Sequence, residues 1–208
     1  MMQMPNTTQN KQSQLETKLP GIYTAIDHVR LDVIKREAKR VRGYIVPGGV
    51  VEIGVYFGGS LNHISAIFDD RPVFGIDTFD GMPQPIKGLD EHEEGDFSDV
   101  AQFEDIKKWF QENRPNVALI KGMFPYCADR LPYQNYCFVH VDVDIYQSTL
   151  DCFSFFFPRM SSGGVIICDD YGFPQCRGAK QAVDEYLVDK QGWSGGEIDT
   201  HQFILRKS

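Results

Sequence analysis

Residues 50–68 read VVEIGVYFGGSLNHISAIF, and this stretch decides the fold class. Val50-Val51-Glu52-Ile53-Gly54-Val55 is rich in β-branched side chains, which favour a pleated, buried strand. Gly58-Gly59-Ser60 interrupts it, and Leu61, Ile64 and Phe68 then recur at helical spacing. A glycine-rich turn at the carboxyl end of a strand lets a ligand approach the backbone closely. The same glycines also suit a tight strand-to-helix turn with no ligand, and both readings stand. The spacing is not G-x-G-x-x-G, which disfavours a dinucleotide fingerprint.

The pattern repeats outward from this unit. Leu31, Ile34, Ala38 and Val41 mark an N-terminal amphipathic helix that ends at Gly43 or at Pro47-Gly48-Gly49. Val73–Asp77, Val117–Ile120, Cys137–Asp142 and Gly164–Cys168 read as further strands. Helical patterns lie near 103–113, 150–157 and 178–190, and residues 195–207 supply a last strand pair. Strands separated by helices imply right-handed crossovers and a mostly parallel sheet covered on both faces. The expected fold is therefore α/β, with seven strands. Residues 1–20, polar and rich in Gln and Asn, read as a flexible tail. Residues 21–208 read as one domain with no internal repeat.

Composition narrows the function classes. The chain has 208 residues and a formal net charge of -8, which argues against binding nucleic acid through its phosphates. No apolar stretch approaches the ~18 residues of a membrane span, and the N-terminus lacks the pattern of a signal peptide. The five cysteines are odd in number and have no C-x-x-C spacing, so reduced, buried thiols in a cytoplasmic protein are expected.

The acids carry the sharpest signal. Asp142 and Asp144 follow the fourth strand, and Asp169-Asp170 follow the fifth. If those strands are parallel neighbours, their carboxyl ends meet at the edge where such sheets bind ligands. Converging carboxylates raise one another's pKa. A hard cation such as Mg²⁺ removes that conflict, so Asp142, Asp169 and Asp170 are the expected ligands of a divalent metal. The bland alternative is helix capping, above all by Asp144 before Tyr146. Asp77, ending the second strand, is expected to accept hydrogen bonds from ribose hydroxyls, with a local cap as its alternative. Such a site suits activation of a poorly acidic hydroxyl, with Asp142 as the general base. His140 reads as a core histidine, His63 carries no expected role, and Phe153–Phe157 reads as core. His92 lies in the acidic run 90–94, read as a solvated loop or as a lid over substrate.

Five stretches together resemble the macrocin O-methyltransferases of antibiotic pathways, which methylate deoxysugar hydroxyls. They are VEIGVYFGGS (51–60), GIDTFDGMP (75–83), KGMFPYCADRLP (121–132), VDVDIYQSTLD (141–151) and GGVIICDDYGFPQCRGAKQAVDEY (163–186). The resemblance implies a Rossmann-like class I methyltransferase that uses S-adenosylmethionine and Mg²⁺ or another divalent cation. It implies cofactor contacts at Glu52, Gly54, Gly58, Gly59, Ser60, Asp77, Gly122 and Met123, and metal ligands at Asp142, Asp169 and Asp170. It further implies a small sugar-containing hydroxyl acceptor and a homo-oligomer. The chain departs from the family in its shorter length, its compact acidic loop 84–98 and its reduced N-terminal region. Competing readings are a catechol-type phenolic O-methyltransferase, a metal-dependent hydrolase, and a non-catalytic nucleotide-binding module.

Overall fold

The computed structural model describes residues 22–98, 103–187 and 192–208, and the tail expected at 1–20 lies outside them. The elements are α1 (His28–Gly43), β1 (Gly49–Ile53), α2 (Gly59–Ile67), β2 (Val73–Asp77), α3 (Phe103–Asn113) and β3 (Val117–Lys121). They continue with β4 (Tyr136–Val141), α4 (Tyr146–Phe156), β5 (Met160–Cys168), α5 (Arg177–Tyr186), β6 (Trp193–Glu197) and β7 (Phe203–Lys207). One seven-stranded sheet runs in the order β3-β2-β1-β4-β5-β7-β6. Strands β1 to β5 are mutually parallel, and β7 lies antiparallel to both β5 and β6. This is the expected α/β, Rossmann-like arrangement.

Strand alternation divides the core. Val50, Val73, Phe138 and Val165 face a cluster that includes Leu31, Ile34, Leu61, Ile64, Ile106 and Phe110, from α1, α2 and α3. Val51, Val139, Val141 and Ile166 face the other cluster, with Cys152, Phe153, Phe156 and Val183 from α4 and α5. All residues of β1 and β4 are buried, as central strands covered on both faces require. Each large side chain removed from water in this way stabilises the fold by about 1.5–3 kcal/mol. Helix α1 starts where Asp27 accepts hydrogen bonds from the Val29 and Arg30 amides, and it buries the expected Leu31, Ile34, Ala38 and Val41.

The sheet order reverses next to β1, where successive strands step first toward β3 and then toward β7. The carboxyl ends of β1 and β4 therefore diverge into a crevice, the usual ligand position in such sheets. Strand β1 ends at Ile53, two residues short of the expected Val55. Gly54 turns the chain with φ of 87°, and a Cβ there would lie 1.7 Å from the carbonyl oxygen of Asp142. Only glycine lets the two backbones pass this closely.

Candidate active site

A cavity of about 270 Å³ opens at this crevice. Gly54, Asp77, Gly122, Met123, Asp142, Asp144 and Asp170 line it, together with Arg30, Tyr56, Phe97, Phe124, Phe173 and Cys176. The register that pairs Val141 with Cys168 brings the next residues, Asp142 and Asp169-Asp170, side by side. Carboxylate oxygens of Asp142, Asp169 and Asp170 lie within 4.8 Å of one another.

The three acids are not equivalent. Burial and the neighbouring Asp170 and Asp169 charges push the Asp142 carboxyl well above the usual carboxylate range. Burial and Asp169 raise Asp170 too, although its Oδ2 accepts from the Val143 and Asp144 amides at 3.0 and 2.9 Å. Burial acts on Asp169 in the same direction, but hydrogen bonds and charge from His140, with the Arg30 charge, hold it below its ordinary value. Arg30 forms an ion pair with Asp169 Oδ2, and Gln202 donates to Oδ1 at 2.7 Å. Asp169 is fully buried and does not line the cavity. It stands behind Asp142 and Asp170, anchored by a cation from α1.

Glu52 is where the structure departs most from expectation. It lies mid-strand, with no exposure, and does not line the cavity. The β1–β4 register sets it opposite His140, whose Nδ1 is 2.8 Å from Glu52 Oε1. His140 Nε2 is 3.4 Å from Asp169 Oδ1. Burial alone would lower the His140 pKa, but hydrogen bonds and charge from Asp169 and Glu52 push it up to about 10. Glu52, His140 and Asp169 thus form a buried chain beneath the cavity floor. His140 is thus the satisfied core histidine expected, with both ring nitrogens partnered, and Glu52 meets it beneath the cavity rather than lining the wall.

The glycine turn also divides. Gly54 lines the cavity, whereas Gly58, Gly59 and Ser60 do not. A Cβ on Gly58, where φ is 80°, would sit 2.7 Å from the Phe110 ring. One on Gly59 would sit 2.4 Å from the Tyr23 backbone, whose carbonyl accepts the Gly59 amide at 3.0 Å. These glycines admit α3 and the segment before α1, and Ser60 is buried. Asp77 lines the cavity and also holds the turn: its Oδ2 accepts from the Val55 and Tyr56 amides at 2.8 and 2.9 Å. Its Oδ1 accepts from the Phe79 amide at 2.8 Å. The Thr78 hydroxyl lies 2.6 Å from the Gly81 carbonyl and 3.3 Å from Asp77 Oδ1.

The acidic loop is docked against the site. Asp90, rather than Asp144, caps α4, with Oδ1 accepting from the Tyr146 amide at 2.9 Å. Glu91 pairs with Arg177 at 2.9 Å. Asp144, with φ of 60°, turns toward Cys176 and His92 instead. Sequence reasoning missed Arg30 and Gln202, which lie far from the acids in the chain. The one available signal was the pair Glu52 and His140, two ionisable residues inside apolar strands.

The strand order and the carboxyl-edge cavity define the class I methyltransferase type of α/β fold. The O-methyltransferase NovP superposes with a TM-score of 0.75 at 28% identity, covering 89% of this chain and 82% of NovP. CalS11, a calicheamicin methyltransferase, shares the fold with a TM-score of 0.66 at 19% identity, covering 86% and 77% of the two chains. The sequence matches the macrocin-O-methyltransferase (TylF) family over residues 2–193, and the chain belongs to that family. It is 30% identical over 179 residues to demethyldecarbamoylnovobiocin O-methyltransferase of Streptomyces niveus, covering 79% of this chain and 67% of that one. It is also 30% identical to mycinamicin III 3''-O-methyltransferase of Micromonospora griseorubida, covering 89% and 79%. The chain is an O-methyltransferase, which sets aside the hydrolase and the non-catalytic module. Among the described residues no helix is long and apolar enough to cross a membrane.

Proposed function

We propose that this enzyme transfers a methyl group from S-adenosylmethionine to a hydroxyl of a sugar-bearing small molecule, with a divalent cation held by Asp142, Asp169 and Asp170. The observation that carries the reading is the approach of those three carboxylates within 4.8 Å, with Asp142 and Asp170 lining a cavity that also presents Gly54 and Asp77. The donor set is all oxygen and matches hard cations such as Mg²⁺. Burial, with repulsion among the neighbouring carboxylates, raises Asp142 and Asp170, a conflict that a bound cation would relieve. The sugar acceptor is supported by the mycinamicin 3''-O-methyltransferase relative and by the relative that acts at 4' of a rhamnosyl-tetracenomycin.

The residues divide the work. Asp77 Oδ1 orients a ribose hydroxyl, and Gly54 leaves the β1 edge open to the cofactor. Gly122 and Met123 form the adenine side. Asp142 accepts the acceptor's hydroxyl proton. Arg30 and the Glu52–His140 pair fix Asp169, and Phe97, Phe124 and Phe173 exclude water. A divalent cation, when bound, supplies acidity to the acceptor hydroxyl. S-adenosylmethionine supplies the electrophilic methyl, for which in-line positioning suffices. The five buried thiols support a reducing cytoplasm as the site of action. We read residues 21–208 as one catalytic domain that self-associates, as the family resemblance implies.

The test is a panel of glycosylated and catechol acceptors with S-adenosylmethionine, with and without Mg²⁺. The expected result is a methylated sugar and S-adenosylhomocysteine, lost with chelator and in Asp142→Asn. Methylation of catechols alone would move the acceptor to the phenolic class. Full turnover in Asp142→Asn with chelator present would remove the metal from the reading.

A further inference from the structure

A second group of potential ligands lies beside the aspartate cluster and plays no part in the chemistry above. His92 comes from the acidic loop, Asp144 from the turn after β4, and Cys176 from the turn before α5. Cys176 Sγ is 3.7 Å from His92 Nε2 and 3.5 Å from Asp144 Oδ1, and that same Nε2 and Oδ1 are 3.7 Å apart. Three atoms, one from each residue, thus form a near-equilateral triangle.

The triangle has the size of one face of a metal tetrahedron. With Zn²⁺ bond lengths of about 2.3 Å to sulfur and about 2.0–2.1 Å to nitrogen and oxygen, tetrahedral edges come to about 3.3–3.6 Å. Octahedral Mg²⁺ would require edges of about 2.9 Å. The ligand types point the same way, since thiolate with imidazole selects zinc-like ions over Mg²⁺. His92 is also prepared from behind. Its Nδ1 is 3.4 Å from Asp96 Oδ2, and the Glu93 amide donates to that oxygen at 2.9 Å. A carboxylate behind a ligating histidine is the usual support for such a ligand.

We propose that His92, Asp144 and Cys176 form a binding site for a borderline-soft divalent cation of the Zn²⁺ class, separate from the Asp142–Asp169–Asp170 cluster. The ion ties the acidic loop to the turns that follow β4 and precede α5. Asp144 and Cys176 line the cavity, which places the site at its wall. The site stands on geometry alone and does not depend on the acceptor or on methyl transfer.

The test adds Co²⁺ alone to the metal-stripped full-length protein under reducing conditions, with no cofactor or acceptor. One equivalent should give a thiolate-to-cobalt charge-transfer band and the intense visible bands of four-coordinate cobalt. Zn²⁺ should erase them, and excess Mg²⁺ should not. Cys176→Ser should abolish the charge-transfer band, and Asp96→Asn should weaken binding by about 10-fold. Asp169→Asn should retain the thiolate-to-cobalt charge-transfer band. No charge-transfer band in the wild type, or an unchanged band in Cys176→Ser, overturns the site. Loss of the bands in Asp169→Asn with retention in Cys176→Ser places the ion in the aspartate cluster and overturns it equally.

Discussion

At the residue scale, Gly54 and Arg30 set the geometry of the carboxylates. Gly54→Ala forces a Cβ toward the Asp142 carbonyl while the backbone holds φ of 87°. We expect a stability loss of at least about 3 kcal/mol, measured by urea unfolding. An unchanged midpoint would mean that the two backbones separate freely. Arg30 leaves Asp169 without its guanidinium when replaced. Arg30→Gln should cost about 3 kcal/mol, because a fully buried carboxylate loses its cation. Added Mg²⁺ should restore more thermal stability to this variant than to the wild type. Equal Mg²⁺ shifts in both proteins would show that guanidinium and cation do not share the acid. None of this was legible locally. Arg30 reads as one more polar residue on the flank of α1, and only the packing of α1 beside β5 brings it to Asp169. Asp142 and Asp169-Asp170 were legible, because continuous apolar runs mark buried strands and acids at the ends of those runs need a reason.

At the scale of elements, α1 is tied to β7 by Glu37. Its carboxylate accepts from Arg206 on β7 at 2.9 and 2.6 Å and from Arg40 at 3.0 Å. Burial raises the Glu37 pKa, but the hydrogen bonds and charges of Arg206 and Arg40 outweigh it and hold the group below its ordinary value of 4.5. A depressed carboxyl contributes stability above its unfolded pKa and loses it as pH falls through the folded one. Glu37→Gln should therefore cost about 1–3 kcal/mol at neutral pH, discounted because Arg206 is about one-third exposed. The gap between wild type and variant should close below about pH 4.5. A gap that widens on acidification would reverse the sign of the argument. The α1 stripe Leu31, Ile34, Ala38, Val41 was readable as a helix face, whereas buried Glu37 on the same face was not, since its partner lies at the far end of the chain.

For the whole molecule, most successive strands lie side by side, and the long crossover from β3 back to β4 reverses the order beside β1 and creates the cavity. The fold was legible because strands and helices alternate with clear punctuation. The floor of the cavity was not, because Glu52 meets His140 only through the register of two strands separated by most of the α/β unit. Cofactor binding should stabilise the whole fold by mass action. S-adenosylhomocysteine at 100 times its dissociation constant adds about 2.7 kcal/mol. At roughly 2–4 °C per kcal/mol for a chain of this size, the expected rise is about 5–10 °C by calorimetry. No rise at saturation would remove the nucleoside from the cavity.

Asp90 closes the first turn of α4, and Gly178 is the gap that admits it, since a Cβ there would collide with Asp90 Oδ1 and the Tyr146 amide. The acidic loop is therefore a stopper whose tip doubles as a helix end-piece. Any guest that lifts the loop uncovers the first amide of α4, and any guest that seals it covers that amide again. The solvent-exchange rate of the Tyr146 amide is thus a built-in reporter of whether the door is open.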